Sequence, residues 1–412
     1  MPRMAGLRLR PRMRAASTSD VFWLLAGQLV MFIGIAALFP VAPLYVAHRG
    51  GGSIEIAWFV AGPLAANTLV QVPAGYLADR YGRRPLLIGT RLIYALLCIV
   101  LFVDAGPLWV LIGVRVLQGA ASGAYVPALM AALTDLSEPS RRAERFSQQQ
   151  ACEMVGLLVG PLLGGAAALW RDSAAFGVAG LGVLLGLIPM SRVPETLTRT
   201  PRPAQRAPFR WQRRGVVVPA LGLFAVGTVF AMYDVVWPQY LAARGYGAFI
   251  VGLSISLFAI PILLLARRAG RLSSRTNRRL LVPGAFAAVA ACAASYPFLR
   301  ALLPIQLVGE AEAVATVVLE PSLYAVIGDD VDEHSRGRAM GVGGLFQFAG
   351  TAVGAGVLGA LYGANQGVPF WGSSGVLLAA AVICAVALPR GRPRPGGVPI
   401  EPQPSVRERE AV

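Results

Sequence analysis

Apolar runs of about 20 residues follow one another along nearly the whole chain, and no other feature narrows the possible folds so far. A helix needs about 20 such residues to cross the hydrocarbon core of a bilayer. The runs fall at 19–46, 54–77, 86–104, 107–133, 149–170, 174–190, 216–242, 248–266, 280–299, 302–327, 339–362 and 368–388, and are numbered spans 1 to 12 in that order. Only 14% of the 412 residues are charged, against about a quarter in a soluble protein. That is too few for a water-facing surface. The expectation is an all-α membrane protein of twelve transmembrane helices.

The Arg residues set the orientation. All 37 basic residues are Arg, and the formal net charge is +16. Nucleic acid would suit a basic chain, but these Arg lie between apolar runs and not on one amphipathic domain, which argues against that partner. Nearly all sit in tail 1–18, loops 78–85, 134–148, 267–279 and 328–338, segment 191–215 and tail 389–412. The alternate loops hold only Arg49, Arg171, Arg244 and Arg300. By the positive-inside rule the Arg-rich set is cytoplasmic, so both termini lie inside a plasma or inner membrane, as an even number of spans requires. The tail carrying Arg3, Arg8, Arg10, Arg12 and Arg14 precedes a run too long for a signal peptide, so it reads as a cytoplasmic tail before a retained helix. Cys98, Cys152, Cys292 and Cys384 show no CxxC spacing, and His48 and His334 are the only histidines. No disulfide, metal site or cofactor is expected.

Segment 191–215 is rich in Pro and Arg and divides six spans from six. The expected units are a tail 1–18, a bundle 19–190, this linker, a bundle 216–388 and a tail 389–412. The halves repeat weakly. Shifted by about 195 residues, DRYGRR (79–84) falls on SRTNRR (274–279). At a shift of 194, RRAERF (141–146) falls on SRGRAM (335–340), and Gly156 and Gly160 fall on Gly350 and Gly354. Such a parallel repeat suits a transporter built of two six-helix halves.

The turn GYLADRYGRRP (75–85) joins spans 2 and 3. Gly75 permits close backbone approach, and Gly82 permits a positive φ. Arg80, Arg83 and Arg84 can fix topology and hold anionic lipid. Asp79 weakens such anchoring. It makes sense if it pairs with Arg or caps a helix N-terminus of the other half.

The stretch GYLADRYGRRPLL resembles the loop signature of the major facilitator superfamily, G-x-L-a-D-r-x-G-r-r-x-x-l, with GRLSSRTNRR (270–279) as a weaker second copy in which Ser274 replaces Asp. The resemblance implies two pseudo-symmetric six-helix bundles with spans 1, 4, 7 and 10 around a central cavity. It also implies that Asp79 caps span 11 near Arg338 to Gly341 in the outward-facing state. A charge relay would run through Arg83 or Arg84 to Asp135.

LIGVRVLQGAASGAY (111–125) places Arg115 and Gln118 three apart on one helix face. It is similar to the superfamily's R-x-x-q-G motif, which implies a part in proton coupling; the plainer reading is an Arg tied to its own half. GLLVGPLLGG (156–165) spaces Gly156, Gly160 and Gly164 four apart beside Pro161 and Gly165, a stripe that lets another helix approach. It is similar to the antiporter motif of drug–proton exporters, with Ser147 where a further Gly is usual, and implies a contact between halves. IGIAALFPVAP (33–43) resembles another exporter motif through Gly34, Pro40 and Pro43, and the two prolines should bend span 1. VPET (193–196) is familiar from the same superfamily.

Asp234 in span 7, and Glu310, Glu312 and Glu320 in span 10, are the acids left for chemistry. Arg115, Asp234 and Glu310 fall at comparable depth, so Glu310 can also be a plain partner of Arg115. Glu310 and Glu312 point about 200° apart and cannot share a cavity. Glu153 reads as a partner of cytoplasmic Arg. Phe230, Tyr233, Trp237 and Tyr240 form an aromatic stripe, either packing or a wall that holds a lipophilic cation; Tyr233, Trp237 and Gln239 are placed at the substrate cavity.

The expected function is proton-coupled efflux of small amphipathic or cationic compounds by alternating access, by a monomer in the lipid bilayer. The alternatives are proton-coupled transport of a sugar, metabolite or siderophore on the same fold, or a non-transporting membrane sensor. No P-loop or catalytic dyad is visible, so an enzyme is not expected.

Overall fold

The computed structural model describes residues 18–138, 141–197, 212–331 and 333–389. The outer parts of both tails and the middle of the linker lie outside the described residues. Eleven described helices are long and apolar enough to cross a membrane, and Ala174–Met190 is a shorter apolar helix of 17 residues. Together they account for all twelve spans.

Three spans depart from the single rods that the sequence suggests. Span 1 is Thr18–Ala36 followed by Ala42–His48, so its prolines interrupt the helix as well as bending it. Span 7 is Arg214–Ala231, a π-helical turn Met232–Val236, and Trp237–Ala242. Span 10 is Leu302–Thr316 followed by Leu319–Asp330. One cause serves all three. Proline has no N–H to give the carbonyl four residues back, and its ring crowds that carbonyl. Pro40 and Pro321 stand four residues after Ala36 and Val317, at the edges of two breaks, and Pro238 stands four after Asp234, in the middle of the π-turn.

Spans 2, 3, 4, 5 and 6 are Ser53–Tyr81, Arg83–Val103, Leu108–Asp135, Arg142–Ala168 and Ala174–Met190. Spans 8, 9, 11 and 12 are Ala248–Arg275, Arg278–Ser295, Glu333–Tyr362 and Val368–Ala387. In the first bundle span 1 packs on spans 5 and 6, span 4 on spans 2 and 3, and span 3 on span 6. In the second bundle span 7 packs on spans 10, 11 and 12, and span 9 on spans 10 and 12.

The repeat is visible in this packing. A Cβ built on Gly160 would lie 2.5 Å from the carbonyl oxygen of Ile33 in span 1, and one on Gly350 would lie 2.1 Å from that of Phe224 in span 7. Span 5 thus lies on span 1 through small residues, as span 11 lies on span 7. Gly156 and Gly164 also face span 1, at Phe32 and Ala37, and Gly34 faces span 6 at Ala179. Of the exporter-like stripe, only Pro161 and Gly165 reach the other bundle, where they meet Gly252 and Ala248 of span 8. The expected contact between halves therefore belongs to two of its five residues, because positions 156, 160 and 164 share one helix face and 161 and 165 another.

The bundles meet at one end. Span 5 touches span 8 at Pro161–Gly252, and span 2 touches span 11 at Ala57–Gly359 and Ser53–Gly363, all toward the Arg-poor loops. Toward the Arg-rich loops the same helices part. Asp79 is 70% exposed, and a Cβ on Gly341 would meet nothing within 4 Å.

Candidate functional site

Asp234 sits in the π-turn of span 7, a kind of turn that often marks functional sites. The turn follows from Pro238, which leaves the Asp234 carbonyl without its usual donor. The Trp237 N–H reaches back to Met232 instead. The Gln239 side chain donates to the Val235 carbonyl at 2.8 Å, so it serves its own helix. Asp234 is half-buried, and among the described residues it has no hydrogen-bond or ion-pair partner. The charged group acting on it is Arg115 of the first bundle. Arg115 donates to Gln118 Oε1 at 2.8 Å, as the i,i+3 spacing suggests, and stands 5.3 Å over the Phe59 ring. Its Nε is buried without a partner. An Arg and an acid from opposite bundles thus lie within electrostatic range of each other inside the membrane span, without an ion pair between them.

The span 10 acids are placed differently. Glu310 is not paired with Arg115; it accepts from Gln306 Nε2 at 2.6 Å, because position 306 lies one turn earlier on the same face. Glu312 points into the second bundle, on the opposite side of the helix. Glu320 lies beyond the break and accepts from Gln347 of span 11. The aromatic stripe also faces inward. Tyr233 bonds Glu312 at 3.1 Å, and Trp237 donates to Ser254 at 3.1 Å and is 1% exposed. Tyr233 and Trp237 are therefore core residues of the second bundle in this structure and do not line the cavity. Adjacent helical residues point about 100° apart, so side chains on either side of Asp234 cannot all share its direction.

At the Arg-rich end, Arg83 joins two acids. Its Nη2 lies 2.9 Å from Asp79 Oδ1 and its Nε 3.3 Å from Asp135 Oδ2. Of the two candidates for the relay, Arg83 holds that place, while Arg84 donates to the Ser191 carbonyl at 2.8 Å. Arg80 lies over the Tyr81 ring at 5.5 Å. The cap of span 11 by Asp79 is not formed in this state. Gly75 meets nothing closer than Pro127 at 3.9 Å from a built Cβ, so the close approach expected there is absent while the bundles stand apart.

Glu195 is a functional candidate that sequence reasoning passed over. Its carboxylate accepts the backbone N–H groups of Arg83 at 2.9 Å and Arg84 at 3.1 Å, capping span 3. The signal was present in VPET. Gly82 has φ 110°, and a Cβ there would lie 2.5 Å from Glu195 Oε2. Gly82→Ala should cost about 1–3 kcal/mol from backbone strain, and Glu195→Gln about 1 kcal/mol from a weakened cap. Both should lower the thermal unfolding midpoint in detergent. An unchanged midpoint for Gly82→Ala would contradict the strain.

Arg91 was overlooked as well, although a lone Arg in an apolar run is a signal in itself. It is 4% exposed, donates to Ser122 at 3.1 Å and stacks 3.6 Å over Tyr125. Tyr125 donates to Gln28, and Glu153 accepts from Gln149 at 2.6 Å and Gln28 at 3.4 Å. Glu153 is thus held by the amides of Gln149 and Gln28 and not by loop Arg, because its helical position faces span 1.

The sequence profile of the Major Facilitator Superfamily matches residues 24–317. The chain belongs to the Major Facilitator Superfamily. It is 28% identical over 384 residues to the class C tetracycline resistance protein of Escherichia coli, covering 87% of this chain and 93% of that one. It is 28% identical over 166 residues to the quinolone resistance protein NorA of Staphylococcus aureus, covering 40% and 42% of the two chains. Among solved structures it is similar to a bacterial homolog of the human lysosomal transporter Spinster in an inward-facing, occupied conformation. The TM-score is 0.74 at 16% identity, over 91% of this chain and 96% of that one. A D-xylose–proton symporter gives the same TM-score at 16% identity, over 91% and 98%. These structures share the fold. This Major Facilitator Superfamily member is a multi-pass membrane transporter of small molecules and not an enzyme.

Proposed function

We propose that the protein is a proton-coupled exporter of small amphipathic or cationic compounds, working as a monomer by alternating access. The observation that carries this reading is Asp234, an acid in the membrane span that has no bonded partner among the described residues and lies within electrostatic range of Arg115 of the other bundle. An unpaired carboxylate at that depth is costly and suits a site that a cation or a proton must fill. Similarity to the tetracycline resistance protein over 93% of its length supports export of drug-like molecules. With the Arg-rich loops inside by the positive-inside rule, the Pro161–Gly252 and Ala57–Gly359 contacts close the outer end, and the structure is inward-facing. Asp79 and Arg83 would then latch the inner end in the opposite state, with Asp135 as the relay's terminus.

Everted membrane vesicles test the reading. After a proton gradient is formed, tetracycline or ethidium should collapse it in vesicles with the protein and not in vesicles without it. Collapse by sugars alone would defeat the reading.

A further inference from the structure

PLYVAHRG (43–50) falls on PQYLAARG (238–245) at a shift of 195 and shares its Pro, Tyr, Ala, Arg and Gly. Both stretches lie at the Arg-poor end of a broken span. Ala42–His48 is the piece of span 1 beyond its break, and Trp237–Ala242 is the piece of span 7 beyond its π-turn. Their first residues are also 195 apart, and the two end segments touch each other across the bundles. Each stretch closes on a glycine with positive φ, 78° at Gly50 and 86° at Gly245.

The shared Tyr and Arg make equivalent bonds in the two halves. Arg49 Nη1 donates to the Asp104 carbonyl at 3.1 Å, and Arg244 Nε donates to the Leu299 carbonyl at 3.1 Å. Leu299 is the residue on which Asp104 falls at the same shift. Arg49 Nη2 adds the Gly106 carbonyl at 2.9 Å. The buried Tyr45 hydroxyl donates to the Asp104 carboxylate, and the buried Tyr240 hydroxyl donates to the carbonyls of Tyr296 at 2.7 Å and Leu299 at 3.2 Å. Each end segment is thus tied to the loop between the third and fourth spans of its own half. The halves differ in charge. The Asp104 carboxylate also pairs with Arg49, and His48 Nδ1 lies 2.5 Å from Asp172 Oδ2, where the second half has Leu299 and Ala243.

A helix bends where its hydrogen-bond ladder is interrupted. An end segment beyond such a break does not have to follow the rest of its span. Apolar packing on span 2 or span 8 holds it only without direction. Bonds to fixed backbone carbonyls supply the direction. We propose that Tyr45 with Arg49, and Tyr240 with Arg244, are paired anchors, positioning residues that carry the rocking of each bundle past the interruption in span 1 or span 7 to the segment that closes the Arg-poor end. The carbonyl bonds are the part common to both anchors, and the acids Asp104 and Asp172 reinforce the first alone. The proposal rests on the alternating-access reading above and not on what is carried.

The test measures distances between spin labels in the purified full-length protein, in a background lacking Cys98, Cys152, Cys292 and Cys384. Labels at Ala47 and Ala243, both exposed, report the end segments. Labels at Trp109 and Leu303, also exposed, report the bundles. Gly252→Ala, which crowds the contact between spans 5 and 8, supplies the second state. Without other changes, both distances should shift together between the two states. Arg49→Gln and Arg244→Gln should each broaden the Ala47–Ala243 distribution about twofold or more and leave the Trp109–Leu303 distribution unchanged, so that the segments no longer follow the bundles. A general loss of structure would broaden both pairs. Asp104→Asn should keep the segments following, because the carbonyl remains and Asn tolerates the left-handed backbone at that position, φ 62°. An Ala47–Ala243 distribution unchanged in both Arg variants overturns the proposal. So does broadening of both pairs alike, or broadening in Asp104→Asn as large as in Arg49→Gln. If the Arg variants do not fold, Tyr45→Phe and Tyr240→Phe, which each remove one hydroxyl, decide by the same widths. If Gly252→Ala moves neither pair, the alternating-access reading fails, and the widths still decide whether the anchors hold the segments.

Discussion

Asp234→Asn should weaken ethidium binding by roughly 30- to 150-fold and abolish its export, with the protein still folded. Two unit charges about 4 Å apart attract by about 4 kcal/mol at an effective dielectric constant near 20. Desolvation offsets part of this, leaving about 2–3 kcal/mol, which is that range in affinity. Asn keeps the volume of Asp, so the π-turn and the packing of span 7 stay. Arg115 keeps its bond to Gln118. Glu310→Gln is the control, because Glu310 bonds to Gln306 on its own helix and does not face Arg115. Ethidium fluorescence on the purified variants measures both. Binding by Asp234→Asn within threefold of wild type would remove Asp234 from the cation site.

Hydropathy made the spans readable, because a bilayer demands the same length of apolar chain wherever the chain crosses it. Asp79 was readable for the opposite reason, as an acid where a basic anchor would suffice. The breaks in spans 1, 7 and 10 were not. Proline accompanies each, but Pro63, Pro73, Pro127 and Pro161 lie inside helices that run on. Neighbouring helices decide which freed carbonyls are satisfied in place, and one sequence does not reveal those neighbours.

The same limit explains the misplaced aromatic residues. Tyr233 and Trp237 are four apart and share a face, but whether that face looks to the cavity or into the bundle depends on partners 17 to 79 residues away, Ser254 and Glu312. Depth alone put Arg115, Asp234 and Glu310 level and suggested Glu310 as the partner of Arg115, but Glu310 turns to Gln306 of its own helix. Glu195 and Gly82 were each visible, one in VPET and one in the loop, and only the fold brings them together.

Gly252→Ala should hold the protein away from the state seen in this structure and reduce export more than tenfold. A Cβ there would lie 2.2 Å from the Pro161 carbonyl oxygen, a backbone atom with no rotamer to yield. Such overpacking costs about 1–3 kcal/mol. The cost falls on one state only, since span 8 meets span 5 across the bundles and each bundle's own packing is untouched. A one-sided penalty of about 2 kcal/mol shifts a two-state population about 30-fold. Asp79→Asn acts with the opposite sign, because the inner latch proposed for Asp79 belongs to the other state. Gly252→Ala should therefore raise labelling of a cysteine placed at Ala57 from the Arg-poor side, in a background lacking Cys98, Cys152, Cys292 and Cys384. Asp79→Asn should lower it. The double variant should return labelling toward wild type, since two penalties on opposite states cancel in the population even though both remain in the total stability. Labelling that rises with both single changes would mean that Asp79 does not favour the opposite state, and the gate and the latch would not be two ends of one equilibrium.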